Sequence, residues 1–97
     1  MNYRFLDEAE AEFYDAVAYY EDCEGGLGIE LSREVFKAID RIIALPAAWS
    51  PYSNRTRRCL LNRFPYGIIY RHLEDTITIF AVMQLNREPG YWKDRLK

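Results

Sequence analysis

Apolar residues recur at helical spacing in two consecutive stretches in the first half of the chain. The first stretch includes Phe13 and Val17, with acidic residues filling the opposite face. Gly25 and Gly26 end this stretch, and the second continues until Pro46 stops it. The pattern predicts two amphipathic helices that pack as an antiparallel hairpin.

Alternating apolar residues, rich in β-branched and aromatic types, predict four strands around these helices. The first is expected at residues 2–6, followed by Asp7 as helix N-cap with Glu10 as its capping-box partner. The other three, after a long loop at residues 46–56, are expected at residues 57–62, 66–73 and 76–83. The sequence therefore predicts an α+β fold of order β-α-α-β-β-β, with a small antiparallel sheet packed against a helix hairpin.

The last stretch, residues 84–97, is too polar for a core and too aromatic for a disordered tail. We therefore expect a structured or docking tail. With 97 residues and no linker or repeat, residues 1–97 are expected to form one domain. A composition of 49% hydrophobic and 29% charged residues excludes a disordered chain.

The sequence shows no sign of export or membrane insertion. No apolar run approaches the roughly 18 residues that a membrane span needs, and the N-terminus turns acidic at once, unlike a signal peptide. Cys23 and Cys59 lie inside predicted elements without zinc-like or redox spacing. We interpret both as reduced packing residues of a cytoplasmic protein.

Charge is strongly segregated along the chain, although the net charge is only −2. Residues 1–48 carry 4 basic and 11 acidic side chains, whereas residues 49–97 carry 9 basic and 4 acidic ones. Arginine supplies 10 of the 13 basic residues. Because arginine binds planar anions in bidentate fashion and stacks on aromatic rings, we expect a binding surface in the second half.

The familiar catalytic motifs are absent from the sequence. His72 is the single histidine, and no cysteine lies near it, so no metal site is expected. The glycines after the first helix do not follow a strand, which excludes a phosphate-binding loop. Acidic residues of the first helix, including Glu12 and Asp15, are interpreted as a solvated face. No cofactor is expected.

The remaining candidate feature for function is a set of arginines interleaved with aromatic residues. Arg87 comes just after the last predicted strand, and Tyr91 and Trp92 follow closely enough to return beside it. Such a surface suits RNA, through phosphate contacts and base stacking, and equally suits a protein partner, since Arg, Tyr and Trp are enriched in binding hot spots. Composition does not discriminate between the two.

Two stretches of this region carry a family resemblance. Residues 63–71 read RFPYGIIYR, and residues 79–92 read IFAVMQLNREPGYW. Together with FYDAVAYY in the first helix, they resemble the RelE/ParE superfamily of bacterial toxins from type II toxin–antitoxin systems, also called plasmid-stabilisation proteins. The resemblance implies a RelE/ParE-like fold and a cognate antitoxin partner in a hetero-oligomer.

Members of the superfamily have one of two activities, and the resemblance implies that this chain has one or the other. RelE-like members cut mRNA on the ribosome with a basic and aromatic set, whereas ParE-like members bind and poison DNA gyrase. Of the RelE-type basic positions, one falls on Leu60 and another on Gly67. For a nuclease, the candidate catalytic residues are Arg58, Arg63, Arg71, Arg87 and Tyr91.

Charge favours the ParE-like activity. A chain with a pI near 5.4 is not built as a general RNA binder, because phosphate binding gains from a basic surface. We therefore expect a toxin that poisons DNA gyrase, with Arg63, Arg71, Arg87, Tyr91 and Trp92 as target-binding residues. A ribosome-dependent mRNA endoribonuclease and a degenerate homologue that only binds antitoxin stay open as alternatives.

Overall fold

The computed structural model describes residues 1–88 and 90–96, in which two helices cover one face of a five-stranded sheet. The elements are β1 (Asn2–Phe5), α1 (Asp7–Cys23), α2 (Leu27–Ala44), β2 (Ser50–Pro51), β3 (Arg57–Leu60), β4 (Tyr66–Leu73), β5 (Thr76–Gln84) and a 3₁₀ helix (Lys93–Leu96). The predicted order is confirmed. The two-residue strand β2 lies in the predicted long loop. In the described residues, no helix has the length and apolar character to cross a membrane.

The strand order in the sheet is β1-β5-β4-β3-β2. The strands β2 to β5 form an antiparallel meander, as predicted, but β1 pairs with β5 in parallel. This parallel pair arises because the helix hairpin carries the chain from β1 to the opposite edge of the sheet, from which the meander returns. The sheet is therefore mixed rather than purely antiparallel.

The main core lies between the helix hairpin and the sheet. Each element contributes the apolar residues of one face, as the periodicity predicts. Its fully buried members include Ala9, Leu31, Val35, Ala38, Ile42, Cys59, Ile68, Tyr70, Ile77 and Ile79. This layer fixes the positions of α1 and α2 over the sheet.

A second, smaller cluster lies on the other face of the sheet. It contains Ile69, Phe80, Ala81, Met83 and Trp92, the last contributed by the C-terminal tail. Ile69 pairs with Ala81, while the next residue along β4 pairs with Ile79, so Phe80 is an extra residue in β5. Within residues 84–88 and 90–96, the tail is structured, one of the two alternatives expected for it, and it packs on this face of the sheet.

The predicted capping box at the start of α1 is wrong. Leu6 occupies the N-cap position, and no side-chain hydrogen bond caps the helix, which begins at Asp7. The reason is that the sheet leads directly into the helix: the Leu6 N–H donates to Ile79 O at 3.0 Å, and Leu6 O accepts from the Glu10 N–H at 2.9 Å. The chain therefore has no turn between the strand and the helix in which the Asp7 side chain could cap the helix.

The N-terminus of α2 is capped by the preceding helix. The Glu21 carboxylate accepts hydrogen bonds from Gly26 N at 2.8 Å and from Gly28 N at 3.0 Å. Gly26 has a positive φ of 91°, which glycine adopts without steric cost. The carboxylate satisfies N–H groups that have no partner within α2 and stabilises the positive end of its dipole.

The two cysteines are free but differ in environment. Cys59 is buried, as predicted, and burial raises the pKa of its thiol. The packing role predicted for Cys23 is wrong, because this residue ends α1 on its solvent side and is exposed.

Gly28 allows the two helices to approach closely, so Gly28→Ala is expected to destabilise the protein. A Cβ at this position would lie 2.6 Å from the carbonyl oxygen of Val17, which is backbone and cannot rotate away. Overpacking of this kind costs about 1–3 kcal/mol in the free energy of unfolding, measurable by urea denaturation. Gly25→Ala is the matched control: its nearest contact is 4.0 Å away, and we expect no loss. Equal destabilisation by both changes would contradict this packing argument.

Tyr70 makes stability fall in alkaline solution. Its hydroxyl donates to the Pro46 carbonyl, and burial raises its pKa to about 12, although Arg57 lowers it. The folded chain thus keeps a proton that the unfolded chain releases near pH 10, so this contribution is complete below pH 10 and is lost towards pH 12. The expected slope from Tyr70 is about −1.4 kcal/mol per pH unit. Tyr70→Phe should lack this slope, so the stability difference between the unmodified protein and the variant should fall by about 1.4 kcal/mol per pH unit between pH 10 and 12.

Candidate functional site

An ion pair replaces a missing strand at the edge of β5. β1 ends at Phe5, while β5 continues beyond its last β1 partner, Ile79, to Gln84. In this gap, Glu12 Oε1 accepts from the Val82 N–H at 3.1 Å, and Arg95 Nη1 donates to Phe80 O at 2.9 Å. A side-chain carboxylate and a guanidinium thus make the bonds that a neighbouring strand would make.

Glu12 and Arg95 also bind each other in a bidentate pair. Arg95 Nη1 lies 3.0 Å from Glu12 Oε1, and Arg95 Nη2 lies 3.2 Å from Glu12 Oε2. The side chains are only 18% and 15% exposed, respectively. Burial lowers the pKa of Arg95, but the hydrogen bond and charge of Glu12 outweigh this and raise the pKa above its ordinary value. The pair therefore stays charged and fixes the tail against α1 and β5.

Tyr91 lies beside this pair and contacts two arginines. The guanidinium carbon of Arg87 is 4.0 Å from the centre of the Tyr91 ring, and that of Arg95 is 5.2 Å away. Burial raises the pKa of Tyr91, and the Glu12 carboxylate raises it further, against lowering by the two arginines. The phenol is therefore neutral at physiological pH and offers its ring to cations.

A notch of about 200 Å³ opens between α1 and the ends of β4 and β5. Arg87 and Tyr91 lie on its tail side, and Tyr19, which is 62% exposed, lies on its helix side. Glu12 and Asp15 add negative charge. Aromatic rings flanked by charges of both signs are typical of surfaces that bind proteins.

The other predicted arginines lie elsewhere. Arg63, in the turn before β4, is 57% exposed and pairs with Glu30 at 3.3 Å. Arg58 stacks on Tyr52 at 4.9 Å and Arg71 on Phe80 at 5.3 Å. The structure therefore brings Arg87 and Tyr91 together at the notch, as predicted, whereas Arg58, Arg63 and Arg71 do not line it.

The prediction for Trp92 needs correction. Its side chain is fully buried against the second cluster, with its ring 5.8 Å from that of Tyr52. A target cannot reach it in this conformation. Trp92 instead anchors the tail, and so places its neighbour Tyr91 at the notch.

Sequence reasoning missed the roles of Glu12 and Arg95. Glu12 was expected on a solvated face, but it is mostly buried and ion-paired. A signal was present: Glu12 follows Ala9 by three residues and precedes Ala16 by four, which places it beside the buried stripe of α1. Nothing in the local pattern of the tail indicated its partner, because the two residues are 83 positions apart.

Comparison with known proteins gives the family. Residues 3–89 match the family model described as the ParE toxin of the type II toxin–antitoxin system, parDE. The chain belongs to this family of ParE toxins.

A solved structure has a similar fold. That structure is described as "Chromosomal ParDE TA system from P. aeruginosa". The similarity covers 89% of the present chain and 97% of the chain in the solved structure, with a TM-score of 0.77 and 16% sequence identity. A search of curated proteins found no significant match. The predicted resemblance and the predicted fold are thus both confirmed for this ParE toxin.

Breaking the buried ion pair should destabilise the toxin and release its tail. Glu12→Gln leaves Arg95 without its counter-charge, and removal of one partner from a buried pair typically costs about 3–5 kcal/mol. Because both side chains keep some exposure, we expect roughly 2–4 kcal/mol by urea denaturation, with faster amide exchange in residues 91–96.

Glu30→Gln provides the matched control. It breaks the exposed pair with Arg63 by the same chemical change, and exposed pairs contribute about 0–1 kcal/mol. If both variants lost the same free energy of unfolding, or if the amides of the tail exchanged no faster in Glu12→Gln, the conclusion that the buried pair holds the tail would be wrong.

Proposed function

We propose that this ParE-family toxin arrests growth by binding DNA gyrase. The contact surface lies at one end of the sheet, where Arg87 stacks on Tyr91. The observation that carries this proposal is the geometry of that pair: a guanidinium 4.0 Å from the centre of a ring whose phenol is neutral, beside an open notch. An exposed arginine supported by a tyrosine is a typical hot-spot arrangement.

Arg63 extends this surface along the same end of the sheet. The Leu85 N–H donates to Pro65 O at 2.8 Å, so the segment that carries Arg87 lies against the turn that carries Arg63. Arg71 lies on the sheet face opposite the helices, with its guanidinium on Phe80. We therefore assign target contact first to Arg87 and Tyr91, then to Arg63, and last to Arg71.

The alternative activity, mRNA cleavage on the ribosome, gains less support from the same side chains. General base catalysis requires a group that loses its proton near neutral pH. Arginine stays protonated, and burial together with Glu12 raises the pKa of Tyr91. Arg58 and Arg71 lie on the sheet face opposite the helices, and each guanidinium is already stacked on an aromatic ring, that of Tyr52 or of Phe80.

The cognate antitoxin requires a surface of its own, and we assign it to an apolar groove between β1 and the helix hairpin. This groove has a volume of about 550 Å³ and is lined by aromatic side chains, among them Tyr3, Phe13, Tyr14 and Phe36. Tyr14 is 59% exposed and Phe36 is 43% exposed. Such a groove suits an amphipathic or extended segment of a partner.

The gyrase proposal predicts that Arg87→Glu weakens inhibition of purified gyrase in a supercoiling assay. Loss of a hot-spot arginine costs about 2 kcal/mol or more, so the concentration for half inhibition should rise at least about 30-fold. Tyr91→Phe, which keeps the ring, should inhibit nearly as the unmodified toxin does. Arg33→Glu is the control, because Arg33 is an exposed arginine on α2 and its reversal changes the net charge equally.

Expression without antitoxin separates the two activities in cells. The gyrase proposal expects a block of DNA replication while translation continues. Rapid translation arrest with cuts in ribosome-bound mRNA would overturn it in favour of the endoribonuclease. Soluble toxin with no growth defect and no effect on gyrase would instead indicate a homologue that only binds antitoxin.

A further inference from the structure

A cavity of about 260 Å³ lies on the helix-covered face of the sheet, beside the segment that follows α2. The strands β3 and β4 contribute Arg57, Tyr70 and His72 to its lining. Tyr70 belongs to the main core, Arg57 is its partner on β3, and His72 follows it by two residues, so the three side chains share one face. None of the described tail residues, which pack on the other face, lines this cavity.

Arg57 is half-buried but has no counter-charge within the described chain. Its Nη1 donates to Trp49 O at 2.7 Å. The other half-buried arginines of this part of the chain each contact a carboxylate or an aromatic ring: Arg95 contacts Glu12, and Arg41, Arg58 and Arg71 contact Trp49, Tyr52 and Phe80, respectively. Within residues 1–88 and 90–96, Arg57 has neither kind of contact. Because a guanidinium that is partly removed from water gains from a nearby anion, this position favours the binding of one.

Two further basic side chains line the same cavity. Arg55 and His72 lie there with Arg57, and both are exposed to solvent. None of the described residues that line the cavity is acidic. The Pro46 carbonyl, which would repel an anion, already accepts a hydrogen bond from the Tyr70 hydroxyl. The cavity therefore offers a ligand positive charge and N–H donors from three side chains.

The turn before β3, which carries Arg55, is held in one conformation. The N–H groups of Tyr52 and Ser53 both donate to Thr56 O, at 2.8 and 3.2 Å. Ser53 Oγ lies 2.7 Å from Thr56 Oγ1, and it accepts from the Arg55 N–H at 3.3 Å. The backbone that positions the basic side chains is thus ordered before a ligand binds, which lowers the entropic cost of binding.

We propose that this cavity binds one phosphate group, either inorganic phosphate or the phosphate of a small monoester. Arg57 binds it from the buried side with the N–H groups that are not bonded to Trp49, and Arg55 and His72 bind it from the solvent side. Two guanidinium groups attract a dianion more strongly than a singly charged carboxylate. The inference does not rest on the gyrase proposal, because the cavity shares no residue with the notch or with the apolar groove.

The test is isothermal titration calorimetry of the whole toxin with inorganic phosphate, in which phosphate replaces chloride at constant ionic strength. We expect saturable binding of one phosphate per chain, with changes in the amide NMR shifts of residues 53–57 and of His72. Arg55→Ala removes one charge-assisted contact, so the dissociation constant should rise at least about tenfold. The Arg55 side chain is exposed, so the fold should persist, which circular dichroism can check.

Arg33→Ala is the matched control, since it removes one exposed arginine from α2 and changes the net charge equally. The proposal expects this control to bind phosphate as the unmodified toxin does. Equal weakening by both variants would overturn it, because net charge rather than the cavity would then govern binding. Absence of saturable binding in the millimolar range would overturn it as well.

Arg57→Lys tests the buried contact, because lysine keeps the charge but lacks the second N–H group of the guanidinium fork. The proposal expects weaker phosphate binding by this variant. If the variant does not fold, the comparison of Arg55→Ala with Arg33→Ala still decides. Phosphate binding by a folded Arg57→Lys as tight as that of the unmodified toxin, together with unchanged NMR shifts in residues 53–57, would place the phosphate elsewhere and overturn the proposal.

Titrations with acetate and with glycerol 3-phosphate identify the ligand chemistry. The proposal expects acetate to bind more weakly than phosphate. Acetate binding as tight as that of phosphate, and equally sensitive to Arg55→Ala, would show a carboxylate site and overturn the phosphate assignment. Glycerol 3-phosphate that binds at least as tightly as inorganic phosphate would support a monoester as the ligand, whereas weaker binding of the ester would support free phosphate.

Discussion

Where β1 ends, the interior strand β5 still carries backbone groups that need partners, and an ion pair supplies them. Glu12 accepts from the Val82 N–H, and Arg95 donates to Phe80 O while binding Glu12. Unsatisfied buried backbone groups are costly, so this pair stabilises the sheet beyond the end of β1. The same pair joins three parts of the chain: a helix near the N-terminus, the last strand and the tail.

The tail in turn completes the second core. A sheet covered by helices on one face would leave the apolar residues of its other face, such as Ile69 and Met83, in water. Trp92 buries them, and it is fully buried itself. A domain of this size buries a limited share of its surface, so the loss of one such residue would affect the whole protein. The position of the proposed binding residues thus depends on the same contacts as the stability of the fold.

The elements and their order could be predicted from the sequence, because periodicity and turn residues are local signals. The parallel pairing of β1 with β5 could not, since it depends on which way the helix hairpin crosses the sheet. The predicted N-cap at Asp7 is wrong because a long-range hydrogen bond, from the Leu6 N–H to Ile79 O, extends the pairing with β5 up to Leu6. Leu6 is therefore the residue that precedes the helix. At the site, the proximity of Arg87 and Tyr91 was predicted from their short spacing. The burial of Trp92 and the partner of Glu12 depend on tertiary packing and left no local pattern.

The interaction that completes the sheet also limits the chemistry of the candidate site. Tyr91 packs beside the Glu12–Arg95 pair, and the burial and negative charge that accompany that pair raise the pKa of its phenol. A tyrosine that moved protons near neutral pH would need the opposite surroundings, with less burial and no carboxylate beside it. In this chain, such surroundings would require the removal of Glu12, which would break the contact that holds the tail. The contact that holds the tail thus also keeps the Tyr91 phenol protonated, which supports the proposed role of this site in binding a protein.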